Sequence, residues 1–344
     1  MKNYIRTLTV LLLIVNTLLS FSQTDYKSIT KAGYKYFSIK DTLKQSSCDS
    51  IRFVVRNNDS QKKPLLVFIQ GSSSQSLIIN DNNESYSVIE SLAYPELLEK
   101  YCVVLISKPG VSVCSADKPH INNEVYTANN YKDYYVNSTI QVIHFLTNQV
   151  YVDKSKVYLI GHSQGSSIAA KIASTYPNQI SKLVFMSGHV FDRHYQDITN
   201  YRKQAEYGII ASTQAQEKID SVYNNYELLK QCVEQKSKCF ENDDLIFYHY
   251  RNSYSFNFDP PIDCLLKYNN PTLVVYGTKD PAVNELDMLP LFYTRANNTN
   301  LTIHCYPNYD HNYWLREYDN RGEVVKELFN WPPVFGKVDE WLSE

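Results

Sequence analysis

Hydrophobic residues along this chain fall into short continuous runs, each closed by glycine, proline or serine. Pro64-Leu-Leu-Val-Phe-Ile-Gln70, Tyr101-Cys-Val-Val-Leu-Ile-Ser107, Lys156-Val-Tyr-Leu-Ile-Gly161, Ser181-Lys-Leu-Val-Phe-Met-Ser187 and Pro271-Thr-Leu-Val-Val-Tyr276 are apolar on consecutive positions. Strands buried on both faces of a parallel sheet read this way. Leu301 to Tyr306 adds a further strand, whereas Ser50 to Arg56 alternates as a half-buried strand does. Helical patterning fills the intervals at Val88 to Lys100, Asn129 to Val150, the Ala-rich stretch ending near Pro177, and Glu285 to Ala296. A last helical segment is expected at Glu323 to Phe329, before Trp331-Pro-Pro. Repeated strand and helix units predict an α/β fold with a mostly parallel central sheet and helices on both faces.

The alternation lapses from about Val190 to Pro261. This stretch is rich in tyrosine, with Tyr195, Tyr201, Tyr207, Tyr223, Tyr226, Tyr248, Tyr250 and Tyr254, and is helical in pattern from Thr213 to Glu234. Lying between two core strands, it reads as an inserted helical lid over the carboxyl edge of the sheet. Its aromatic faces and phenol hydroxyls could shape an acyl or aryl pocket, or simply pack. The expected division is a signal peptide at 1–22, core at 23–189, lid insertion at 190–262 and core again at 263–344.

Composition narrows the setting. Lys2 and Arg6 precede an apolar run from Leu8 to Leu19 and a small-x-small site, Ser20-Phe-Ser22. That is the layout of a cleavable secretory signal, and the run is shorter than the roughly 20 residues needed to span a bilayer. A secreted or periplasmic product is expected, without stable membrane insertion. Removing Lys2 and Arg6 from 34 basic residues leaves 32 against 36 acidic ones. This balance gives no reason to expect nucleic-acid binding. Of seven cysteines, Cys232–Cys239 and Cys102–Cys114 are the nearest pairs in sequence, and an oxidising compartment would favour disulfides, although spacing does not give connectivity. No cluster has metal-ligand spacing.

The chemistry centres on Gly161-His162-Ser163-Gln164-Gly165, where a buried strand passes through a sharp turn into helical sequence. A serine at such a turn takes a strained backbone conformation and needs small neighbours, which the two glycines provide. Its hydroxyl is a poor nucleophile without a base, and the base needs an orienting acid. Asp280 and His311 each follow a strand-like run, in the order Ser, Asp, His. Asp259, Asp263, Asp287 and Asp310 are rival acids. His304, His144, His120 and His162 are less well placed as the base. An oxyanion would be met by the Gln164 amide and by an amide after the Leu65 to Gln70 strand, Ser72 before Ser73.

With these residues the chain resembles the α/β-hydrolase superfamily. Gly161 to Gly165 is similar to its nucleophile elbow, Tyr276-Gly277-Thr278-Lys279-Asp280 to its acid loop and Asp310-His311 to its histidine loop. The likeness extends from about Ser50 to Phe329. It implies a catalytic triad of Ser163, Asp280 and His311 that cleaves an ester or similar small-molecule acyl substrate, with no cofactor. Many members carry His-Gly at the oxyanion loop, whereas this chain has Gln70-Gly71-Ser72. The His-Gly-Gly-Gly loop of many lipases and the Gly-Gly-Ser-Trp-Gly elbow of proline iminopeptidases are also absent, which leaves the substrate subclass open. The alternatives are a peptidase or amidase on the same triad, with Glu206, Glu227 or Glu241 as a carboxylate for a free amine, and a non-catalytic binding protein on this scaffold.

Overall fold

The computed structural model of the chain describes residues 25–43, 47–57, 61–82, 84–89, 95–236, 244–319 and 324–344. The expected signal segment therefore lies outside the described residues. Eight strands form one sheet in the order β1 (Lys35–Lys40), β2 (Ser50–Arg56), β6 (Cys102–Ile106), β3 (Lys63–Ile69), β8 (Val152–His162), β9 (Lys182–Met186), β10 (Thr272–Gly277) and β11 (Leu301–Tyr306). The first two junctions, β1 with β2 and β2 with β6, are antiparallel. The other five are parallel, so β3, β8, β9, β10 and β11 all release their loops along one carboxyl edge.

The continuous apolar runs explain this layout. In β3, Leu65 and Val67 join one hydrophobic core while Leu66 and Phe68 join the other, and in β8 Val157 and Leu159 oppose Tyr158 and Ile160 in the same way. Each strand is thus buried on both faces, as its sequence anticipated, at roughly 2 kcal/mol for each aliphatic side chain removed from water. Helices α4 (Lys132–Thr147) and α5 (Gln164–Thr175) cover one face. The C-terminal helix α11 (Trp331–Ser343) and α2 (Pro95–Lys100) cover the other. A helix over residues 25–31, α1, and the start of α3 (Asn123–Asn129) border one pocket with Tyr36 of β1 and Arg52 of β2.

Several local expectations change. Val88 and Ile89 sit in a turn after the hairpin β4 (Ile78–Asp81) and β5 (Glu84–Ser87), and the described helix runs over Pro95–Lys100. The long helix expected over 129–150 is α4, Lys132–Thr147, preceded by the separate short helix α3 that ends at Asn129. The segment expected to be helical at 323–329 is instead strand β13 (Val324–Phe329), paired with β12 (Trp314–Tyr318) in an exposed hairpin. Adjacent β-branched valines favour a strand, and the Leu315–Leu328 and Trp314–Phe329 cross-strand pairs supply its packing. Trp331-Pro-Pro follows the hairpin. It starts α11, where the first-turn amides lack intrahelical acceptors in any case and proline costs little.

The cysteine expectation is corrected too. Cys102 in β6 and Cys114 in β7 (Cys114–Ser115) are separate buried thiols, because β7 pairs with β4 in a small side sheet. Cys239 lies outside the described residues. Between β9 and β10 the chain forms α6 (Arg193–Glu206), α7 (Ser212–Glu234), α8 (Asp244–Asn257) and α9 (Pro261–Lys267). A one-turn 3-10 helix, Asn284–Met288, and α10 (Leu289–Arg295) follow β10. Among the described residues no helix is long and apolar enough to cross a membrane.

Candidate active site

Ser163 stands between β8 and α5 with φ 56° and ψ −125°, a region that residues other than glycine rarely occupy. Its amide donates to the Met186 carbonyl of β9 at 2.9 Å, while Ser166 Oγ donates to the carbonyls of Gly161 and Met186 at 2.6 and 2.8 Å. These bonds hold the turn in its conformation. The glycines are required by space. A Cβ on Gly165 would lie 2.1 Å from the Ile69 carbonyl oxygen, and one on Gly161 would lie 2.3 Å from that of Gly165.

The structure brings Ser163, Asp280 and His311 together. His311 Nδ1 is 2.7 Å from Asp280 Oδ2, and His311 Nε2 is 3.0 Å from Ser163 Oγ. An ionised carboxylate can only accept, so Nδ1 carries the proton and Nε2 is left to accept from the serine hydroxyl. Asp280 is buried, and its second oxygen accepts from the Ala282 amide at 2.9 Å. The rival acids are engaged elsewhere. Asp259 pairs with Lys132 and Lys171, Asp287 accepts from the Tyr276 hydroxyl, and Asp263 lies in the first turn of α9. Asp310 accepts from the amides of Asn312 and Trp314 and from Arg316, so it shapes the loop that carries His311.

Two residues support this arrangement: His162, which the sequence suggests as a packing or hydrogen-bonding neighbour of the serine, and Tyr313, which it does not single out. His162 lies beneath His311, with ring centroids 5.1 Å apart, and donates through Nε2 to the His311 carbonyl at 3.1 Å. Burial, reinforced by the neighbouring His311, pulls its pKa down to about 3, so it is neutral. Tyr313, fully buried, donates to the Val275 carbonyl at 3.2 Å and accepts from Ser187 Oγ at 3.1 Å, tying the histidine loop to the ends of β9 and β10. Its phenol is raised well above the ordinary value, chiefly by burial.

Gln164 is the first residue of α5, where a backbone N–H has no intrahelical acceptor and the helix dipole favours negative charge. Opposite it, the loop after β3 approaches closely: a Cβ on Gly71 would lie 3.1 Å from Ser163 Cβ and 3.5 Å from its Oγ. Ser72 and Ser73 both border the pocket that opens here. Lys108, from the Ser107-Lys108-Pro109-Gly110 loop after β6, donates to the Gly71 carbonyl at 2.6 Å. Burial pulls its ammonium down to about 7.

The pocket over Ser163 and His311 has a volume of about 470 Å³. Phe68, Ile79 and Val88 line it together with Trp331 and with Trp314 and Phe329 of the β12–β13 hairpin. The insertion contributes none of its lining among the described residues. Several of the insertion's aromatic residues pack together instead: Phe258 stacks on Tyr226 and on Tyr254 at 4.4 Å, and Phe191 contacts Tyr195 at 4.8 Å. The insertion approaches the site from the acid's side, where Gln196 donates to the Pro281 carbonyl. Among the described residues no group of three or more His, Cys, Asp or Glu is disposed to hold a metal ion.

The sequence pattern that defines the family described as alpha/beta hydrolase fold matches residues 64–312. A search of curated protein sequences found no match. Est1E from Butyrivibrio proteoclasticus is similar in structure at a TM-score of 0.50 and 15% identity, over 90% of this chain and 97% of its own. The 2,6-dihydroxy-pseudo-oxynicotine hydrolase is similar at a TM-score of 0.53 and 13% identity, over 84% of this chain and 66% of its own. Porphyromonas gingivalis dipeptidyl peptidase 4 is similar at a TM-score of 0.52 and 11% identity, over 90% of this chain. The matched region is 35% of that peptidase, so this chain spans about a third of its length. At these identities the likeness is one of fold.

Proposed function

Because this chain belongs to the α/β-hydrolase family, we propose that it is an exported serine hydrolase that cleaves an ester or related acyl substrate through an acyl-enzyme. The observation that carries this reading is the unbroken chain of hydrogen bonds from Asp280 through His311 to Ser163, with the serine on a strained turn. In the proposed reaction Ser163 Oγ attacks the acyl carbon while His311 Nε2 takes its proton. The imidazolium so formed is stabilised by Asp280, and the oxyanion is met by the amides of Gln164 and Ser72. His311 then returns the proton to the leaving alcohol, and water, activated by the same base, releases the acid.

What favours an ester over an aminopeptidase substrate is the pocket wall. Its described residues include aromatic and aliphatic side chains but no carboxylate to pair with a free amine. We assign the acyl or aryl part of the substrate to the space between Val88 and the hairpin. The helical insertion serves as a cover on the acid's side.

A fluorophosphonate probe is expected to label the purified protein at Ser163, and Ser163→Ala to abolish both labelling and turnover of p-nitrophenyl esters. Equal labelling of the alanine variant would defeat the hydrolase reading. Faster turnover of aminoacyl anilides than of esters would move the substrate to the peptide class. Amino-terminal sequencing of the exported protein is expected to begin at Gln23.

A further inference from the structure

Lys108 is an unusual lysine. It is buried at 5% exposure, and among the described residues no carboxylate pairs with it. Burying an ammonium group without an ion partner is costly, so its hydrogen bond deserves a reason. Its backbone is held: the Val111 amide donates to the Lys108 carbonyl at 3.2 Å, and Ser107 Oγ donates to the same carbonyl at 3.2 Å. Gly110 follows at φ 72°, and a Cβ there would lie 2.6 Å from the Asn122 carbonyl oxygen. The side chain runs from this fixed loop, beside Tyr135 and Ile168, to the Gly71 carbonyl at 2.6 Å.

The Gly71 carbonyl and the Ser72 amide belong to one peptide unit, which is planar and trans, so they point to opposite sides. Lys108 lines a small cavity with Ile69, Tyr135 and Ile168, whereas Gly71 and Ser72 line the pocket that holds Ser163. With its carbonyl taken up by Lys108, the peptide presents its N–H on the opposite side. The lysine also polarises the peptide, which strengthens that N–H as a donor.

Resting on the serine-hydrolase reading above, we propose that Lys108 is a positioning residue for the oxyanion site, holding the Gly71–Ser72 peptide so that the Ser72 amide faces the developing oxyanion. Either protonation state of the amine keeps a hydrogen for the carbonyl. The lysine thus takes the orienting part in a chain whose oxyanion loop reads Gln-Gly-Ser.

The test compares Lys108→Met and Lys108→Arg with the wild type on p-nitrophenyl acetate and with an alkyl trifluoromethyl ketone, whose hemiketal oxygen occupies the oxyanion position. Complete loss of one oxyanion donor costs about 100-fold or more, so a loosened donor is expected to lower kcat by about tenfold or more in Lys108→Met. KM should stay within about twofold, since the interaction forms in the transition state. Ketone affinity should fall in step with kcat/KM, and Lys108→Arg, which keeps a donor, should recover most of both. Unchanged kcat in folded Lys108→Met, or a loss confined to KM, overturns the proposal. If Lys108→Met does not fold, Lys108→Arg is measured by itself, and there too a change in KM without a matching change in ketone affinity and kcat overturns it. Ser163→Ala separates the two ideas: activity in that variant defeats the hydrolase reading, whereas an inactive Ser163→Ala beside an unimpaired Lys108→Met defeats only the role of Lys108.

Discussion

A methyl group added at Gly165 would sit 2.1 Å from a backbone oxygen, whereas one added at Gly208, between α6 and α7, would meet nothing within 4 Å. The same contrast holds for side chains. Around Ser163 the supporting residues His162, Asp280 and Tyr313 are buried and hydrogen-bonded, while in the insertion Tyr207 is 72% exposed and Ile209 68%. Catalytic groups must be preorganised, because any freedom left to them is lost again on the way to the transition state. The proposed cover would need only to exclude water and admit substrate, so it could be loosely built and self-packed. Substitutions at the rim of the sheet should therefore be costly, and those in the insertion mild.

The largest difference is expected at the acid. Asp280→Asn leaves the geometry almost unchanged but reverses the imidazole tautomer, and kcat should fall by about 10⁴. A loss below about tenfold would move the orienting role to another residue. Next comes the turn itself. Gly165→Ala forces backbone against backbone and should cost several kcal/mol, roughly 3 or more, with loss of phosphonate labelling. Gly208→Ala meets only the strain of its φ of 71°, about 1 kcal/mol, and should label normally. Equal effects in urea unfolding would erase the comparison.

Acid sensitivity should also belong to the rim. The folded pKa of His162 is lowered to about 3, so as pH falls from the ordinary histidine value toward 3 the unfolded chain takes up a proton that the folded one refuses. Stability from this residue is present above that window and is lost on acidification, at up to about 1.4 kcal/mol per pH unit. Urea midpoints measured between pH 7 and 4 should fall more steeply for the wild type than for His162→Gln, and parallel curves would refute the assignment. The smallest effects concern substrate choice. Trp314→Ala, which opens the pocket wall, should shift ester chain-length preference by about tenfold. Tyr195→Ala on the insertion should change kcat/KM for short esters by no more than about twofold. The reverse ranking would make the insertion the specificity element.

Ser163 and Asp280 were legible as candidates because each follows a continuous apolar run that reads as a buried strand, whereas His311 follows the half-exposed strand β11 and was picked out by the order Ser, Asp, His. The parallel core was legible from the same continuous runs. The hairpin was not: Val324, Val325, Leu328 and Phe329 are spaced as on one face of a helix, and only pairing with Trp314 and Leu315 shows them to be a strand. Nor was Lys108. A lysine beside Pro-Gly has the composition of a surface turn, and the Tyr135 ring that its ammonium approaches and the Gly71 carbonyl that it reaches both come from other parts of the chain. The pocket wall was sought in the insertion because tyrosines were dense there, but density in sequence does not say which way a ring faces.

Helix α11 connects the back of the sheet to its reactive edge. Trp331 lies 4.9 Å from the His162 ring and 4.7 Å from that of Tyr313, while farther along Asp339 accepts from the Tyr101 hydroxyl and Lys182 donates to the Trp341 carbonyl. Synthesis delivers the nucleophile turn long before this helix. A nascent chain that has emerged only as far as residue 330 has its serine and histidine but lacks the tryptophan against which the histidine's support is packed. The packing around His162 is therefore complete only once residues 331–343 have docked against the sheet.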